Sequence, residues 1–379
     1  ERFYNIIYNK NQNVIPFYFE IKETPIWIVD FSVKFYSNFI SQYLSFKIRD
    51  PFLGKTNLEL NELKEIAYDN GFDIIAKDIE RFENRAQKSD NVDIIWDHAQ
   101  SAPHRIADLT GEYIVQIIDE FQFINSMIYK DKENEYIARK LAGSYLSLAE
   151  SKIAPLLVTG SWVGWLKNII RSLLPARFKE MELGNLTQEE GLEAVYNYSI
   201  ITDNPLGDNN AIYINEIANS DPFYISAIIQ SPYPDKDLTT REGLLKIIEY
   251  ELTKGDIYST WMEYILSTLD DINAKNAKKI VLFLSKNRNQ EWTRQEIIDK
   301  CNLPFDDRTA EKKLKKLVKG DLIGEGSSSI DYQGMQDDIF YKIFRFRYEE
   351  EIDNFPYNNT REEIINDLKE KIKEKEKKL

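Results

Sequence analysis

The apolar run Tyr113–Ile118, which ends in Asp119 and Glu120, constrains the fold of this chain more than any other stretch. It is too short for a helix of ordinary length and is typical of a strand buried in a parallel sheet. Two carboxylates at the end of a buried strand are costly unless a positive group meets them. Ligands of open α/β sheets bind at this end of the strands. The run therefore predicts a ligand site beside a parallel sheet.

A second apolar run, Ile153–Val158, is followed by hydroxyl side chains, those of Thr159 and Ser161. A helix predicted over 135–148 separates the two runs, and strand–helix–strand units form right-handed parallel crossovers. The two runs should therefore end at the same edge of one sheet, with the hydroxyls beside the acids. The alternative is a strand that merely ends at an acidic helix N-terminus, where carboxylates are favoured.

A hydrophobic strand followed by Asp-Glu is also the pattern of a Walker B motif. In that motif the Asp helps to hold Mg²⁺ and the Glu polarises the attacking water. Gly54-Lys55-Thr56 resembles the matching phosphate-binding loop, whose pattern is G-x-x-x-x-G-K-[ST] between a strand and a helix. Arg49 occupies the position of the first Gly, and a predicted helix over 32–47 precedes it. We therefore predict that this segment binds no phosphate.

The pattern of the remaining chain predicts three regions. A strand over 14–21 and a last strand over 179–183 accompany the two apolar runs. The segment 91–112 is predicted to be an irregular connection, with His98 and His104 in loops or at the surface. Neither histidine has a nucleophile–base pattern around it.

Helical periodicity without strand signals runs from 187 to 269, and Thr187-Gln188-Glu189-Glu190 has the form of a capping box. Helices over 276–286 and 307–319, with a two-stranded ribbon that includes a strand over 339–347, predict a winged helix. The charged segment 361–379 is predicted to be a solvated helix that packs weakly or continues into a further segment.

The chain has 379 residues and a net charge of −14, so contact with nucleic acid requires a local basic patch. The single cysteine, Cys301, excludes an internal disulfide and is typical of a reducing interior. One cysteine and two histidines make a structural zinc site a poor match. No apolar segment approaches the roughly 20 residues of a membrane span. We predict a cytoplasmic protein.

Three segments in this order resemble the archaeal-type ATPase family of the AAA+/STAND class of P-loop NTPases: 118–125, 158–161 and 176–178. The resemblance implies an α/β fold with a parallel-sheet NTPase core, an all-α lid and a winged helix. The implied bounds are 1–184 for the core, 185–272 for the lid, 273–350 for the winged helix and 351–379 for a charged C-terminal helix.

The resemblance also implies ATP and Mg²⁺ as cofactors and a role for each matching residue. Asp119 would hold Mg²⁺ through water, and Glu120 would be the catalytic base. Thr159 or Ser161 would contact the γ-phosphate or position the water. Arg177 matches an arginine that reaches a phosphate in cis or in trans; the alternative for Arg177 is a surface salt bridge.

Two departures from the family pattern stand out. Residues 219–224 resemble its Gly-x-Pro lid motif, but Ser220 replaces the glycine. No Walker A motif is present in the sequence. We expect it just upstream of residue 1, on a first strand that this core lacks between the strand before Thr159 and the last strand. The chain by itself should then be inactive and bind ATP weakly.

Three functions remain open at this point. The first is an ATP-dependent switch that moves lid and winged helix, alone or as a homo-oligomer. The second is a DNA-binding regulator with a vestigial ATPase core, which the lysines of helix 307–319 favour and its acids disfavour. The third is a scaffold that binds proteins through the winged helix. The lysines are Lys312, Lys313, Lys315, Lys316 and Lys319, and the acids are Asp306, Asp307 and Glu311.

Overall fold

The computed structural model describes residues 2–89, 91–207, 209–270, 274–304, 306–328 and 330–377. The chain divides into two compact units, Glu1–Glu180 and Met181–Leu379. The division lies close to the predicted end of the core at 184. The predicted boundary between lid and winged helix, at 272 and 273, falls outside the described residues.

The first unit is an α/β structure in which helices precede and follow short strands. Its elements are α1 (Arg2–Lys10), β1 (Val14–Glu20), β2 (Ile26–Trp27), α2 (Ile28–Ile48), α3 (Leu60–Asp69), α4 (Asp73–Lys88), α5 (Val92–Gln100), α6 (Ala102–Thr110), β3 (Tyr113–Asp119), β4 (Ile128–Tyr129), β5 (Leu156–Val158) and α7 (Val163–Leu173). β2 and β4 form a separate parallel pair.

The main sheet of this unit has the order β1-β3-β5, and both pairings are parallel. Glu20 pairs with Asp119 and Ile118 pairs with Val158, so the strands end at one edge. The parallel sheet predicted from the two apolar runs is confirmed.

Aromatic packing holds this sheet against α2. Phe17 and Phe19 of β1 contact Phe35 of α2 with ring centroids 5.1 and 5.0 Å apart. Gln42, also on α2, closes the free edge of β1: it accepts from the Tyr18 amide (2.9 Å) and donates to the Tyr18 carbonyl (2.8 Å). At the opposite edge β5 leaves Leu157 42% exposed.

Two predicted elements, one before β5 and one after α7, are wrong. The segment predicted as a helix over 135–148 has only a 3₁₀ helix at Leu141–Ser147. The Asp131 carboxylate accepts from the Glu135 and Tyr136 amides, which makes a turn where the helix should begin. The predicted strand over 179–183 is not formed: Met181 and Leu183 are exposed and pair with no strand among the described residues.

The connection over 91–112 is helical instead of irregular, because its sequence carries a helix start signal for each of α5 and α6. Asn91 accepts from the Asp93 amide, and Pro103 lies in the first turn of α6. Helix formation buries His98, which we had predicted in a loop or at the surface. Its Nε2 lies 3.7 Å from the Asp78 carboxylate, which Arg105 and Tyr36 also contact. Burial lowers the pKa of His98, so the ring is neutral near pH 7.

The second unit contains helices and one small sheet. Its elements are α8 (Gln188–Ile201), α9 (Asn210–Ile217), α10 (Pro222–Gln230), α11 (Arg241–Thr253), α12 (Asp256–Asp270), α13 (Ala274–Lys286), β6 (Trp292–Thr293), α14 (Arg294–Lys300), α15 (Asp307–Lys319), β7 (Ile323–Glu325), β8 (Asp331–Gly334), α16 (Asp338–Asp353) and α17 (Tyr357–Glu376). The capping box at Thr187 is confirmed.

The small sheet is antiparallel with the order β6-β8-β7. The predicted strand over 339–347 takes no part in it and lies within α16 instead. Asp337 caps this helix by accepting from the Phe340 amide at 2.9 Å. Ile339, Phe340 and Ile343 are all buried. An apolar run that is buried on most sides is typical of both a strand and a helix. Here the Asp337 cap favours the helix.

The prediction that the charged C-terminal segment packs weakly is wrong. The buried residues of α17 include Ile364, Leu368 and Ile372, spaced four residues apart on one face. Ion pairs flank this face, among them Lys371 with Asp338 and Lys375 with Glu216, both at 2.5 Å. The helix therefore belongs to the core of the second unit. In the described part of the chain, no helix combines the length and apolarity that a membrane span requires.

Leu368→Ala should lower the free energy of unfolding by about 2–5 kcal/mol, because Leu368 is fully buried and its removal leaves a cavity. The control Asn366→Ala changes an exposed residue of the same helix and should stay within about 0.5 kcal/mol. Urea unfolding followed by circular dichroism measures both. Equal stabilities of the two variants would contradict the packing of Leu368 in the core and support a weakly packed C-terminal helix.

Candidate functional site

The candidate site lies where β3 and β5 end. The backbone continues the pairing past both strands: the Thr159 amide donates to the Ile118 carbonyl, and the Phe121 amide donates to the Thr159 carbonyl, each at 3.0 Å. This register brings together the acids after β3 and the hydroxyls after β5. We call these side chains the edge cluster: Asp119, Glu120, Thr159 and Ser161.

Asp119 is held by three donors. Its Oδ2 accepts from the Tyr18 hydroxyl at 2.9 Å. Its Oδ1 accepts from the Thr159 hydroxyl and, at 3.0 Å, from the Glu120 amide. Burial alone would raise the pKa of Asp119, but these hydrogen bonds outweigh it and the pKa lies below its usual range. Asp119 is therefore ionised at neutral pH.

Glu120 has a left-handed backbone, with φ of 51°. A non-glycine residue in this region costs about 1–3 kcal/mol and is common at functional sites. The turn ends the strand, and the Glu120 Oε2 accepts from the Ser161 hydroxyl at 2.9 Å and from the Gln122 amide. Each acid of the edge cluster is thus joined to one hydroxyl from the neighbouring strand end.

Arg177, also predicted to be a site residue, does not belong to the edge cluster. It lies in the turn after α7 and forms an ion pair with Glu150 at 2.5 Å. Its side chain is 37% exposed. A surface salt bridge was the alternative to a phosphate contact, and it is the arrangement seen here.

Lys55 belongs to the segment Gly54-Lys55-Thr56, which we predicted to bind no phosphate. Leu53–Lys55 is a 3₁₀ turn after α2, not a connection from strand to helix. Lys55 lines a cleft of about 270 Å³ with Tyr8 and Gln42.

Sequence reasoning missed three residues of the site: Tyr18, Gln122 and Gly160. Alternation along β1 was the available signal for Tyr18, because its neighbours Phe17 and Phe19 face α2. Gln122 is buried, and its Oε1 has no hydrogen-bond partner among the described residues. A Cβ at position 160 would lie 2.1 Å from that oxygen, so any other residue there would displace the Gln122 amide group. No sequence signal marked this contact.

The donor set of the edge cluster suits a magnesium ion better than a soft metal. No group of three or more His, Cys, Asp or Glu that could hold a metal occurs among the described residues. Mg²⁺ needs no such group, because it keeps several waters and binds through one or two carboxylates and substrate phosphates. The Asp119 oxygens already accept from Tyr18 and Thr159, which favours a contact to the ion through water.

Tyr18→Phe should raise the pKa of Asp119, because it removes a donor to the ionised carboxylate. Stability from the lowered pKa is present above the unfolded pKa and lost as pH falls through the folded pKa. The variant should therefore lose less stability on acidification. Carboxyl-carbon NMR titration measures the pKa, and the exposed Tyr113→Phe is the control. An unchanged pKa in Tyr18→Phe would contradict this account.

Gly160→Ala should lower the free energy of unfolding by about 1–3 kcal/mol, because the added methyl displaces the buried Gln122 side chain. The cost should shrink in a Gln122→Ala background, since the two sites share one contact. Gly143→Ala is the matched control: its Cβ would meet nothing within 4 Å. Thermal or urea unfolding of Gly160→Ala, Gln122→Ala, the double variant and Gly143→Ala measures these changes in stability. Additive costs at 160 and 122 would disprove the contact.

Comparison with solved structures supports the fold, whereas the comparisons with family models and curated proteins found no match. The Walker-type ATPase PABY2304 of Pyrococcus abyssi is similar in structure, with a TM-score of 0.53 and 12% identity over 87% of this chain and 84% of that one.

Two structures of the Aeropyrum pernix ORC2 protein also match. The ADP form has a TM-score of 0.41 and 11% identity, over 99% of this chain and 82% of that one. The ADPNP–ADP complexes give 0.42 and 11%, over 92% and 82%. The likeness to the Pyrococcus protein shows that this chain has the fold of a Walker-type ATPase.

Proposed function

We propose that this protein is a Mg-ATP-dependent ATPase whose Walker B segment is β3 with Asp119 and Glu120. One observation carries the proposal: an ionised Asp and an adjacent Glu end a buried parallel strand, and each accepts from a hydroxyl of the next strand. The Walker-type fold supports it.

Asp119 has the role of holding the hydrated magnesium ion. Its lowered pKa keeps it charged, and its hydrogen bonds to Tyr18 and Thr159 fix the direction of the carboxylate. When bound, the ion neutralises charge that develops on the phosphates. Thr159 orients Asp119 in this arrangement and lies where a γ-phosphate contact is expected.

Glu120 has the role of general base for the attacking water. Oε2 is engaged by Ser161 and Gln122, while Oε1 accepts no hydrogen bond from the described residues. Oε1 is therefore the atom to take the proton. Ser161 and Gln122 act through Glu120 as positioning residues.

The edge cluster supplies carboxylates and hydroxyls, not the amides and lysine that hold β- and γ-phosphates. A phosphate-binding loop on a further strand beside β5, outside residues 1–379, would complete the site. The exposed Leu157 on the free edge of β5 supports such a neighbour, because strands that flank it would bury this side chain.

Arg177 would reach a phosphate only by exchanging its ion pair with Glu150. An exposed ion pair of this kind contributes about 0–1 kcal/mol to stability, so breaking it costs little free energy. Nucleotide-dependent movement of the helices after residue 184, and assembly into a homo-oligomer that presents Arg177 in trans, belong to the same proposal. α13–α15 with the sheet β6-β8-β7 would be its winged helix.

In the full-length protein, Glu120→Gln should lower ATP turnover by about 10²–10⁴-fold, the usual contribution of a general base. The affinity for ATP, measured by calorimetry, should stay within a few-fold, because the amide keeps the size of the side chain. Glu65→Gln, at an exposed position of α3, is the control. Turnover at the wild-type rate in Glu120→Gln would remove Glu120 from the mechanism. Absence of ATP binding to the full-length wild type would overturn the proposal itself.

A second candidate is DNA binding through α15, and one observation favours it. The acids that disfavoured it in the sequence are engaged within the fold: Asp306 caps the helix, and Asp307 and Glu311 pair with Arg294. Lys312 and Lys319 are exposed beside them.

If α15 contacts DNA phosphates, affinity should fall steeply with salt, by a log–log slope of about −0.9 per phosphate contact. Lys312→Glu with Lys319→Glu should weaken binding and flatten that slope. Fluorescence anisotropy with labelled duplex DNA measures both. A slope that these changes leave unaltered would exclude α15 as the contact.

A further inference from the structure

A buried polar cluster lies where four helices of the first unit meet, and the proposed nucleotide site does not use it. Its centre is Asp78 of α4, which is 1% exposed. The Asp78 Oδ2 accepts from the Tyr36 hydroxyl of α2 at 2.8 Å and from the Arg105 guanidinium of α6 at 2.9 Å. Oδ1 accepts from the Arg105 Nε at 2.9 Å. The fourth member is His98 of α5, which is 4% exposed.

The imidazole of His98 is packed into this cluster without a hydrogen bond at Nε2 from or to the described residues. Nε2 lies 3.7 Å from the Asp78 Oδ2, beyond hydrogen-bond distance. That oxygen already accepts from two donors, those of Tyr36 and Arg105. A proton added to Nε2 would therefore create a buried donor that Asp78 accepts only if the helices move.

The charges that face His98 from the neighbouring helices favour its neutral form. Burial is the largest cause that lowers the pKa of His98, and the guanidinium groups of Arg105 and Arg85 lower it further. Asp78 acts in the opposite direction and does not prevail, because Arg105 already compensates its charge. Neutral His98 thus belongs to the closed arrangement of α4, α5 and α6.

Two further elements pack against α5 and offer uncharged groups there. α2 presents the phenol of Tyr36, whose raised pKa keeps it uncharged. The segment Leu141–Ser147 meets Trp96 of α5 through Ser144 and contains no charged residue. On α5 itself, burial raises the pKa of Asp97, so the titration of this acid makes the folded helix more stable as the pH falls. Loosening of α5 in mild acid would therefore come from His98.

From this geometry we propose that the cluster is a pH-dependent lock, in which protonation of His98 in mildly acidic solution opens α5 and α6. The Arg105 Nη1 donates to the His98 carbonyl at 3.1 Å and to the Ser101 hydroxyl at 2.8 Å, so movement of α5 reaches α6 directly. α6 ends at Thr110 and β3 begins at Tyr113. The lock thus lies directly before the strand that carries Asp119 and Glu120.

The stability of this lock should fall as the pH falls. The pKa of His98 is lowered in the closed helices, so His98 takes up a proton more readily when they are open. Below about pH 6.5, the usual histidine value, the open form should gain up to about tenfold in relative population for each pH unit. Above that pH His98 is neutral in both forms, and the balance between them does not change through this residue.

Hydrogen exchange of the full chain, followed by mass spectrometry on peptides from residues 92–110, measures this opening. Between about pH 7.5 and about pH 5.5, protection factors corrected for the intrinsic pH dependence should fall more than about threefold in the wild type. His98→Gln keeps a polar side chain without a titrating ring and should retain its protection. His104→Gln removes the other of the two histidines and, as the control, should behave like the wild type.

NMR titration of the imidazole Cε1 proton is the second readout, because His104→Gln leaves His98 as the single histidine of the chain. The midpoint should lie below about pH 6.5. This readout stands even if His98→Gln does not fold. Equal loss of protection in wild type and His98→Gln, unchanged protection of residues 92–110 in the wild type, or a midpoint at or above the usual histidine value each overturns the proposal.

Discussion

The pairing of β3 with β5 is the constraint on which the candidate site depends. Ile118 lies beside Val158, and the backbone hydrogen bonds continue to Thr159 and Phe121. A slip of one residue would turn every side chain to the other face of the sheet. The apolar side chains Ile114 and Ile118, both buried, prevent such a slip. Core packing and site geometry are therefore decided by the same register.

The left-handed turn at Glu120 lets both adjacent acids lie at the same site. Successive residues of a strand point to opposite faces, so two adjacent acids serve one site only where the strand ends. The strained φ of Glu120 ends β3, and the contact with Ser161 holds the carboxylate. Gly160 leaves the space that the buried Gln122 needs to reach the same carboxylate. The strain is thus held by contacts from both strand ends.

Much of the sheet and part of the site could be predicted because local pattern and burial agree there. Short apolar runs followed by polar residues indicated β3 and β5, and parallel pairing followed from their order. The apolar run over 339–347 looked the same but forms part of α16, because Asp337 caps it and neighbouring helices bury it. The tail helix looked solvated because of its charges, yet many of them are paired across to other helices, as Lys375 is with Glu216. Long-range partners of this kind leave no mark on local pattern.

The sequence by itself determined that two acids and two hydroxyls each follow a short apolar strand, since the polar residues mark where each apolar run ends. Only the tertiary structure decided which donor meets which acid. Tyr18 reaches Asp119 from β1, 101 residues earlier in the chain, and the Gln122 amide that contacts Glu120 occupies space that a side chain at residue 160 would need. Distances across the fold set these contacts, and a one-dimensional pattern does not contain them.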